Sequence, residues 1–274
     1  MKRIITLALA LLMVVSSMLA FTSCSDKTDW ENIEAKGKFI CGVTYYEPMN
    51  YFDTDGTTLI GFDTELAKAV AKELGLEVEF VEIKWENKYS ELASGAIDCI
   101  WNGFTSNSKD DDGIERKDKV DFTYAYLDNK QCVVVLSENV GEFTSAASLQ
   151  GKRAAAEEGS AGASYAAEAG ATVVPKDSQM DTFTELVTGA VDCIVVDMLL
   201  ADKLVGQGDF AAIAKTSIEI EPEVYSIGCR KGSDFDEKIN EALVKLLNDG
   251  TIEALATKYG VRVTDSLMAM KTAK

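Results

Sequence analysis

The side chains available for chemistry in this chain are acids, amides, hydroxyls, thiols, amines and guanidiniums, because its 274 residues include no histidine. That absence excludes Ser-His-Asp and Cys-His catalysis and every metal motif built on imidazole. The acidic run at residues 110–112 has adjacent carboxylates, whereas loops that wrap calcium alternate their oxygen ligands. We therefore expect no metal ion and no cofactor.

Five of the six cysteines lie in apolar, β-branched runs that are typical of core strands: Cys41, Cys99, Cys132, Cys193 and Cys229. An odd number of cysteines without paired spacing does not indicate a disulfide framework. We interpret these five as buried free thiols.

An internal repeat indicates that the chain has two similar halves. Residues 89–100 (YSELASGAIDCI) and 183–194 (FTELVTGAVDCI) are identical at seven of twelve positions. Each copy reads as a helix closed by a glycine, Gly95 or Gly189, and followed by a buried strand. We therefore expect one helix–strand unit in each of two lobes.

Strands alternate with helices on either side of the repeat, which predicts mostly parallel sheets in an α/β fold. We expect a strand at 39–43, a helix at 64–74 with Asp63 as its N-cap, and strands at 77–83 and 153–156. Open sheets bind ligands beyond the carboxyl ends of their strands. The segments after Ile100 and Ile194 should therefore face each other across one cleft. Free N–H groups at Gly159 and Ser160, where a helix opens, form a possible anion site; an ordinary helix cap is the alternative.

Charge and the N-terminus bear on location and partners. The formal charge of −18 argues against a nucleic-acid partner. Lys2 and Arg3 precede an apolar run that is short for a membrane span, so residues 1–23 read as an export signal. Cys24 follows small residues and resembles the lipidated cysteine of a bacterial lipoprotein, although Phe21 departs from that pattern. We expect a tether at 24–36 and a location on the outer face of the cytoplasmic membrane, or in the periplasm.

Four segments resemble the amino-acid-binding solute receptors of ABC transporters, which have the type II periplasmic-binding-protein fold. They occur in order at residues 61–75 (GFDTELAKAVAKELG), 94–105 (SGAIDCIWNGFT), 117–123 (KDKVDFT) and 239–252. The resemblance implies a two-lobed clamshell joined by two hinge strands. Lobe 1 would comprise residues 37–127 and 221–274, and lobe 2 residues 128–220.

The resemblance also implies how a free amino acid would be held. Arg116, five residues before Asp121, matches the arginine that binds the α-carboxylate, and a planar guanidinium suits that task. Thr105 matches a hydroxyl donor to the same carboxylate, and Asn102 and Gly103 lie beside the α-amino group. These receptors separate the hydroxyl and the arginine by five positions, whereas here the separation is eleven. Lys117 and Lys119 are therefore alternatives to Arg116.

Asp197 matches the carboxylate that pairs with the α-ammonium group, the alternative being a helix cap. Tyr46, with Tyr45 as a competitor, and Trp85 match aromatic contacts to the ligand side chain. Thr44 matches a polar contact, and Glu157 favours a polar or basic ligand if it faces the cleft. The anion site at Gly159 and Ser160 completes the predicted set.

The resemblance implies a receptor, not an enzyme, that passes an amino acid to an ABC permease and its ATPase, and that is monomeric. One alternative is a dehydratase of cyclohexadienyl acids on the same fold, with Glu157 or Glu158 as general acid. Another is a ligand sensor without transport.

Overall fold

The computed structural model describes residues 28–272. The predicted export signal at 1–23 and the predicted lipidation site Cys24 lie outside the described residues. Within residues 28–272, no helix has the length and apolar character needed to cross a membrane.

The strands of the first lobe are β1 Lys38–Val43, β2 Tyr51–Phe52, β3 Leu59–Ile60, β4 Glu77–Glu82, β5 Cys99–Ile100, β6 Asp121–Phe122 and β13 Gly228–Cys229. Five of them form one sheet in the order β4-β1-β5-β13-β6. The strands β1, β4 and β5 are parallel, and β13 pairs antiparallel with β5 and β6. A small hairpin of β2 and β3 lies beside this sheet.

The strands of the second lobe are β7 Leu127–Leu136, β8 Arg153–Glu157, β9 Thr172–Lys176, β10 Cys193–Asp197, β11 Ile213–Lys215 and β12 Pro222–Tyr225. They form a sheet in the order β11-β7-β10-β8-β9, with β12 pairing to β7. The centre of this sheet is parallel, since β8 runs parallel to both β9 and β10, whereas β7 is antiparallel to β10 and β11.

Helices flank both sheets. The α-helices of the described residues are α1 Asp29–Lys36, α2 Phe62–Leu74, α3 Lys88–Ser94, α4 Arg116–Lys119, α5 Ala161–Glu168, α6 Gln179–Val187, α7 Met198–Leu204, α8 Phe235–Asn248, α9 Thr251–Tyr259 and α10 Asp265–Met268. The helices α2, α8 and α9 pack together on the first lobe, while α5 and α6 cover the second. Short 3₁₀ turns lie at Trp85–Asn87, Ser137–Glu142, Ala146–Leu149 and Gly208–Phe210.

Two antiparallel strands connect the lobes. The long strand β7 leaves the first lobe and enters the second sheet, and β12 returns beside it with Tyr225 opposite Leu127 and Pro222 opposite Lys130. The predicted two-lobed α/β architecture with two crossing strands is thus confirmed. The repeat is confirmed as well, because α3 and β5 in one lobe correspond to α6 and β10 in the other, each pair joined through a left-handed glycine (φ 76° and 72°).

The start of α2 differs from the prediction that Asp63 caps it. The helix begins at Phe62, and its N-cap is Gly61 at φ 123°. A β-carbon on Gly61 would lie 2.1 Å from the carbonyl oxygen of Met49, so only glycine fits there. Asp63 instead lies in the first turn and is fully buried, accepting hydrogen bonds from the Gly103 N–H and the Tyr126 hydroxyl, both at 2.8 Å.

The predicted tether at 24–36 is wrong for its second part. Residues 29–36 form α1, which opens with a Thr28 capping box. Trp30 stacks on Phe235 with ring centroids 6.3 Å apart, and Asp29 accepts from the Arg230 Nε at 2.8 Å. The polar composition of this segment suggested a solvated linker, but its aromatic and charged contacts fix it to the first lobe.

The five cysteines of the described residues are free and buried, as predicted. Cys41, Cys99 and Cys229 lie in register on neighbouring strands, and the sulfur atoms of Cys41 and Cys99 are 3.5 Å apart. Burial raises the pKa of Cys132 and of Cys193 to about 12. Thiolates, the reactive form, are therefore scarce in the folded protein.

We predict that protein made without residues 1–24 reacts negligibly with a thiol reagent such as 5,5′-dithiobis(2-nitrobenzoate) while folded. In denaturant all five thiols should react, because unfolding exposes them and restores their ordinary pKa. Absorbance at the thionitrobenzoate band measures both states. Rapid labelling of the folded protein, or fewer than five thiols after unfolding without reductant, would contradict the buried free-thiol arrangement.

Candidate functional site

A cavity lies between the lobes, where the strand ends of the two repeat copies meet. Its walls are predominantly polar, and eight of the eleven predicted ligand-binding residues line it. The lining residues are Trp85, Asn102, Gly103, Thr105 and Arg116 from the first lobe, Glu157, Ser160, Ala161, Gln179 and Asp197 from the second, and Gln131 from β7.

Arg116 is the cation of the cavity, and only 1% of it is exposed. It lies at the start of α4, where its Nε donates to Asp110 at 2.9 Å, one terminal nitrogen to the Thr105 carbonyl at 3.3 Å and the other to the Gly159 carbonyl at 3.2 Å. The guanidinium also lies 5.3 Å from the centre of the Phe104 ring. These contacts fix its orientation.

The contacts leave Arg116 with a specific binding capacity. Three of its five N–H groups have acceptors among the described residues. The remaining two are one on each terminal nitrogen and are available to hydrogen-bond a carboxylate. The alternatives, Lys117 and Lys119, do not line the cavity.

Asp197 lies on the opposite wall at the end of β10 and is 5% exposed. Its carboxylate accepts from the side-chain amides of Asn129 at 2.9 Å, Gln131 at 2.5 Å and Gln179 at 2.5 Å. Burial raises the pKa of Asp197 despite these donors. The side chain makes no capping bond to α7, so the structure does not use it in the alternative role of helix cap.

Glu157 faces the cavity from the end of β8, with 3% of the residue exposed. Its Oε1 has no hydrogen-bond partner among the described residues. Burial, and next the nearby Asp197, raise the pKa of Glu157 to about 8. A buried acceptor without a donor favours a ligand that supplies one.

Four residues of this region were missed by the sequence analysis: Asn129, Gln131, Gln179 and Glu223. Glu223 is 9% exposed and accepts from Thr105 at 3.2 Å, Asn129 at 3.1 Å and Gln131 at 2.9 Å. Burial and then Asp197 raise its pKa to about 7. Asn129 and Gln131 are two positions apart on one face of β7, a spacing that would have marked them if the sequence had been read as a strand from Leu127 onward.

The turn at Gly159 and Ser160 is oriented differently from the predicted anion site. The Gly159 carbonyl, not its N–H, meets the first lobe, accepting from Arg116 and from the Lys88 Nζ at 3.1 Å. Ser160 caps α5 through its hydroxyl, as the alternative held. Lys88 is 2% exposed, and burial followed by Arg116 lowers its pKa to about 7. No sequence signal distinguishes this lysine from an ordinary solvated one.

Thr44 and Tyr46 lie behind the cavity wall instead of lining it. The Thr44 hydroxyl accepts from the Asn102 side chain at 2.6 Å. The Tyr46 hydroxyl lies 2.0 Å from the place where a β-carbon on Gly103 would stand, so this aromatic ring supports the wall. Tyr45, the competing candidate, packs on Phe52. Trp85 is the aromatic residue on the cavity surface, with its ring edge-on to Phe104.

A family model of bacterial extracellular solute-binding proteins, family 3, matches residues 39–262. The L-cystine-binding protein TcyA of Bacillus subtilis (strain 168) is 30% identical over 270 residues, covering 92% of this chain and 96% of its own.

Solved structures agree in fold. An ancestral arginine-binding protein bound to arginine superposes with a TM-score of 0.73 at 34% identity, over 81% of this chain and 98% of its own. The ancestral amino acid-binding protein AncCDT-1, described as a precursor of cyclohexadienyl dehydratase, superposes with a TM-score of 0.73 at 28% identity, over 84% of this chain and 98% of its own.

The substitution Glu157→Gln should flatten the pH dependence of stability. The Glu157 pKa rises from 4.5 to about 8 on folding, so between these values the folded state holds a proton that the unfolded state releases. Its favourable contribution is complete below pH 4.5 and is lost as pH rises toward 8, by about 1.4 kcal/mol per pH unit.

We expect Glu157→Gln to make the slope of the free energy of unfolding less negative by about 1 kcal/mol per unit between roughly pH 5 and pH 7. Denaturant titrations across that range measure it. Glu168→Gln, on the exposed side of α5, is the control and should keep the original slope. Parallel profiles for all three proteins would contradict the buried position of Glu157.

Proposed function

The chain belongs to family 3 of the bacterial extracellular solute-binding proteins, and we propose that it binds one free amino acid between its lobes and delivers it to an ABC permease with its ATPase. The observation that carries the proposal is the pairing, across one cavity, of a guanidinium with two available N–H groups and a buried carboxylate. A zwitterion presents the complementary charges.

Arg116 binds the α-carboxylate through its two terminal nitrogens, and Thr105 and the N-terminal turn of α5 at Ser160 and Ala161 line the same cavity. A guanidinium is the appropriate group because its planar fork matches a carboxylate. Asp197 binds the α-ammonium group, beside Asn102 and Gly103. The burial cost of Asp197 then falls, because the ligand supplies a cationic partner.

The ligand side chain is polar or basic. Trp85 provides an aromatic face and Glu157 an unsatisfied buried oxygen. Asp197, Glu157 and Glu223 already place three acids at the cavity, and a ligand with an acidic side chain would add a further buried negative charge without a second cation among the described lining residues to pair with it, which is costly. Relatives are named for cystine, whose side chain is neutral, and for arginine, whose side chain is cationic, and both agree with this preference.

Binding closes the lobes around the two crossing strands, and the closed form is what a permease recognises. Export and membrane attachment through a lipid on Cys24 would keep the receptor beside that permease. We propose that it acts as a monomer. A sensor without transport would use the same cavity and differ only in its downstream partner.

A dehydratase activity is the second candidate, and one observation favours it. Glu157 has a pKa of about 8 and so holds a proton at neutral pH, as a general acid must. The position of Asp197 argues against prephenate as the substrate, because this keto acid has no ammonium group to pair with the carboxylate.

We predict that at least one polar or basic amino acid raises the unfolding temperature of the protein in a differential scanning panel, while the corresponding α-keto acid does not. A ligand at 100 times its Kd adds about 2.7 kcal/mol of stability. The keto acid should fail because it lacks the ammonium group for Asp197. Glutamate and aspartate should give smaller shifts than glutamine and lysine.

A panel without any shift would refute amino-acid binding. Incubation with prephenate and arogenate, followed by the absorbance of their aromatic products, tests the second candidate. Turnover abolished by Glu157→Gln would support the enzyme over the receptor.

Arg116→Ala should cost at least about 100-fold in affinity, and Trp85→Ala about tenfold, in calorimetric titration. The first substitution leaves a buried ligand carboxylate without its cation, whereas the second removes mainly apolar contact. Lys117→Ala, at the exposed neighbouring position, is the control and should bind as the unsubstituted protein does. Equal losses for Arg116→Ala and Trp85→Ala would place the carboxylate elsewhere.

A further inference from the structure

Residues 109–115 form a tight turn that we call the acidic hairpin. Lys109 and Glu115 pair as an antiparallel bridge, the Asp110 N–H donates to the Ile114 carbonyl at 3.0 Å, and Gly113 takes a left-handed conformation at φ 76°. This segment accounts for the long separation between Thr105 and Arg116. None of its residues lines the cavity between the lobes, so it acts on that site only through other residues.

Asp110 connects the acidic hairpin to the cation of the cavity. It is 8% exposed, and its carboxylate lies 2.9 Å from the Arg116 Nε and 3.0 Å from the Lys119 Nζ. Because the Asp110 carboxylate accepts from Nε, the guanidinium cannot rotate to present its Nε edge to the cavity. The terminal nitrogens therefore remain directed at the Gly159 carbonyl and the cavity.

Asp111 connects the acidic hairpin to the other lobe. Its Oδ1 accepts a hydrogen bond from the Ser164 hydroxyl at 2.7 Å. Ser164 lies on α5, which belongs to the second lobe, whereas the acidic hairpin belongs to the first. This bond can therefore exist only while the lobes are closed. Asp112, the next residue, bonds within its own lobe, to Lys119 at 2.7 Å and to the Ile114 N–H at 3.0 Å.

We propose that the acidic hairpin is a latch on the closed receptor, in which Asp110 positions Arg116 and Asp111 holds α5 of the opposite lobe. The proposal rests on the proposed function, because the latch slows release of the amino acid bound in the cavity. Asp110 and Asp111 are positioning residues, since neither contacts the ligand. The entry of ligand into the open form is unaffected.

The test is a double-mutant cycle in stopped-flow kinetics with L-arginine and L-cystine as probes. Asp111→Ala and Ser164→Ala should each raise the dissociation rate constant about threefold to tenfold, the range expected for loss of one hydrogen bond. The association rate constant should stay within about twofold, because the bond is absent from the open form. The double variant should dissociate no faster than either single one.

Asp112→Ala is the matched control, and its dissociation rate should equal that of the unsubstituted protein.

The positioning role of Asp110 is tested by combining Asp110→Asn with Arg116→Lys. Asp110→Asn alone should weaken binding about tenfold, and should weaken it no further in the Arg116→Lys background. Should Asp110→Asn fail to fold, the cycle at the exposed Asp111 and the half-buried Ser164 decides the proposal.

The outcomes separate the two proposals. Unchanged dissociation rates in the Asp111 and Ser164 variants, additive effects in the cycle, or an equal effect of Asp112→Ala would overturn the latch while leaving amino-acid binding intact. If neither probe nor any other amino acid binds the unsubstituted protein, the proposed function and the latch both fail.

Discussion

Burying a carboxylate is costly unless hydrogen bonds or a cation replace the water it loses, and the interlobe region buries Asp63, Glu157, Asp197 and Glu223. The protein satisfies them unequally. Asp63 receives two good donors from its own lobe and is structural. Asp197 and Glu223 share amide donors, whereas Glu157 keeps one oxygen unsatisfied. That gradient, from fully satisfied to unsatisfied, distinguishes the scaffold from the ligand-facing wall.

The charges are also divided between the lobes. The guanidinium belongs to the first lobe, while Asp197 and Glu157 belong to the second. In the proposed binding mode a zwitterion between them bridges two surfaces that would otherwise attract only weakly through water, so that ligand binding and lobe closure become one event. The polar residues of β7 lie at the crossing, where Gln131 touches both Asp197 and Glu223. This strand thereby connects the anionic wall to the hinge.

The sequence predicted the parts of this arrangement that depend on local pattern. Repeated helix–strand units located both strand ends, and the resemblance located Arg116 in spite of the added residues because the following strand at Asp121 kept its register. Prediction from the sequence failed where tertiary contacts override local preference. Asp63 looks like a helix cap, yet two distant donors draw it inward. Tyr46 follows a strand, yet its chain folds back through the bond from its N–H to the Asn50 carbonyl and turns the ring behind Gly103.

Contacts between the lobes outside the cavity have a different consequence from those within it. The hydrogen bond of Asp111 to Ser164 and the ion pair of Lys84 with Asp177, at 3.3 Å, do not touch the ligand. They therefore change the equilibrium between open and closed forms by the same factor for every ligand. In the proposed binding mode specificity stays with Arg116, Asp197 and Glu157, while residence time can be tuned at the edge of the cleft. An insertion such as the acidic hairpin can thus alter affinity without altering which amino acid is chosen.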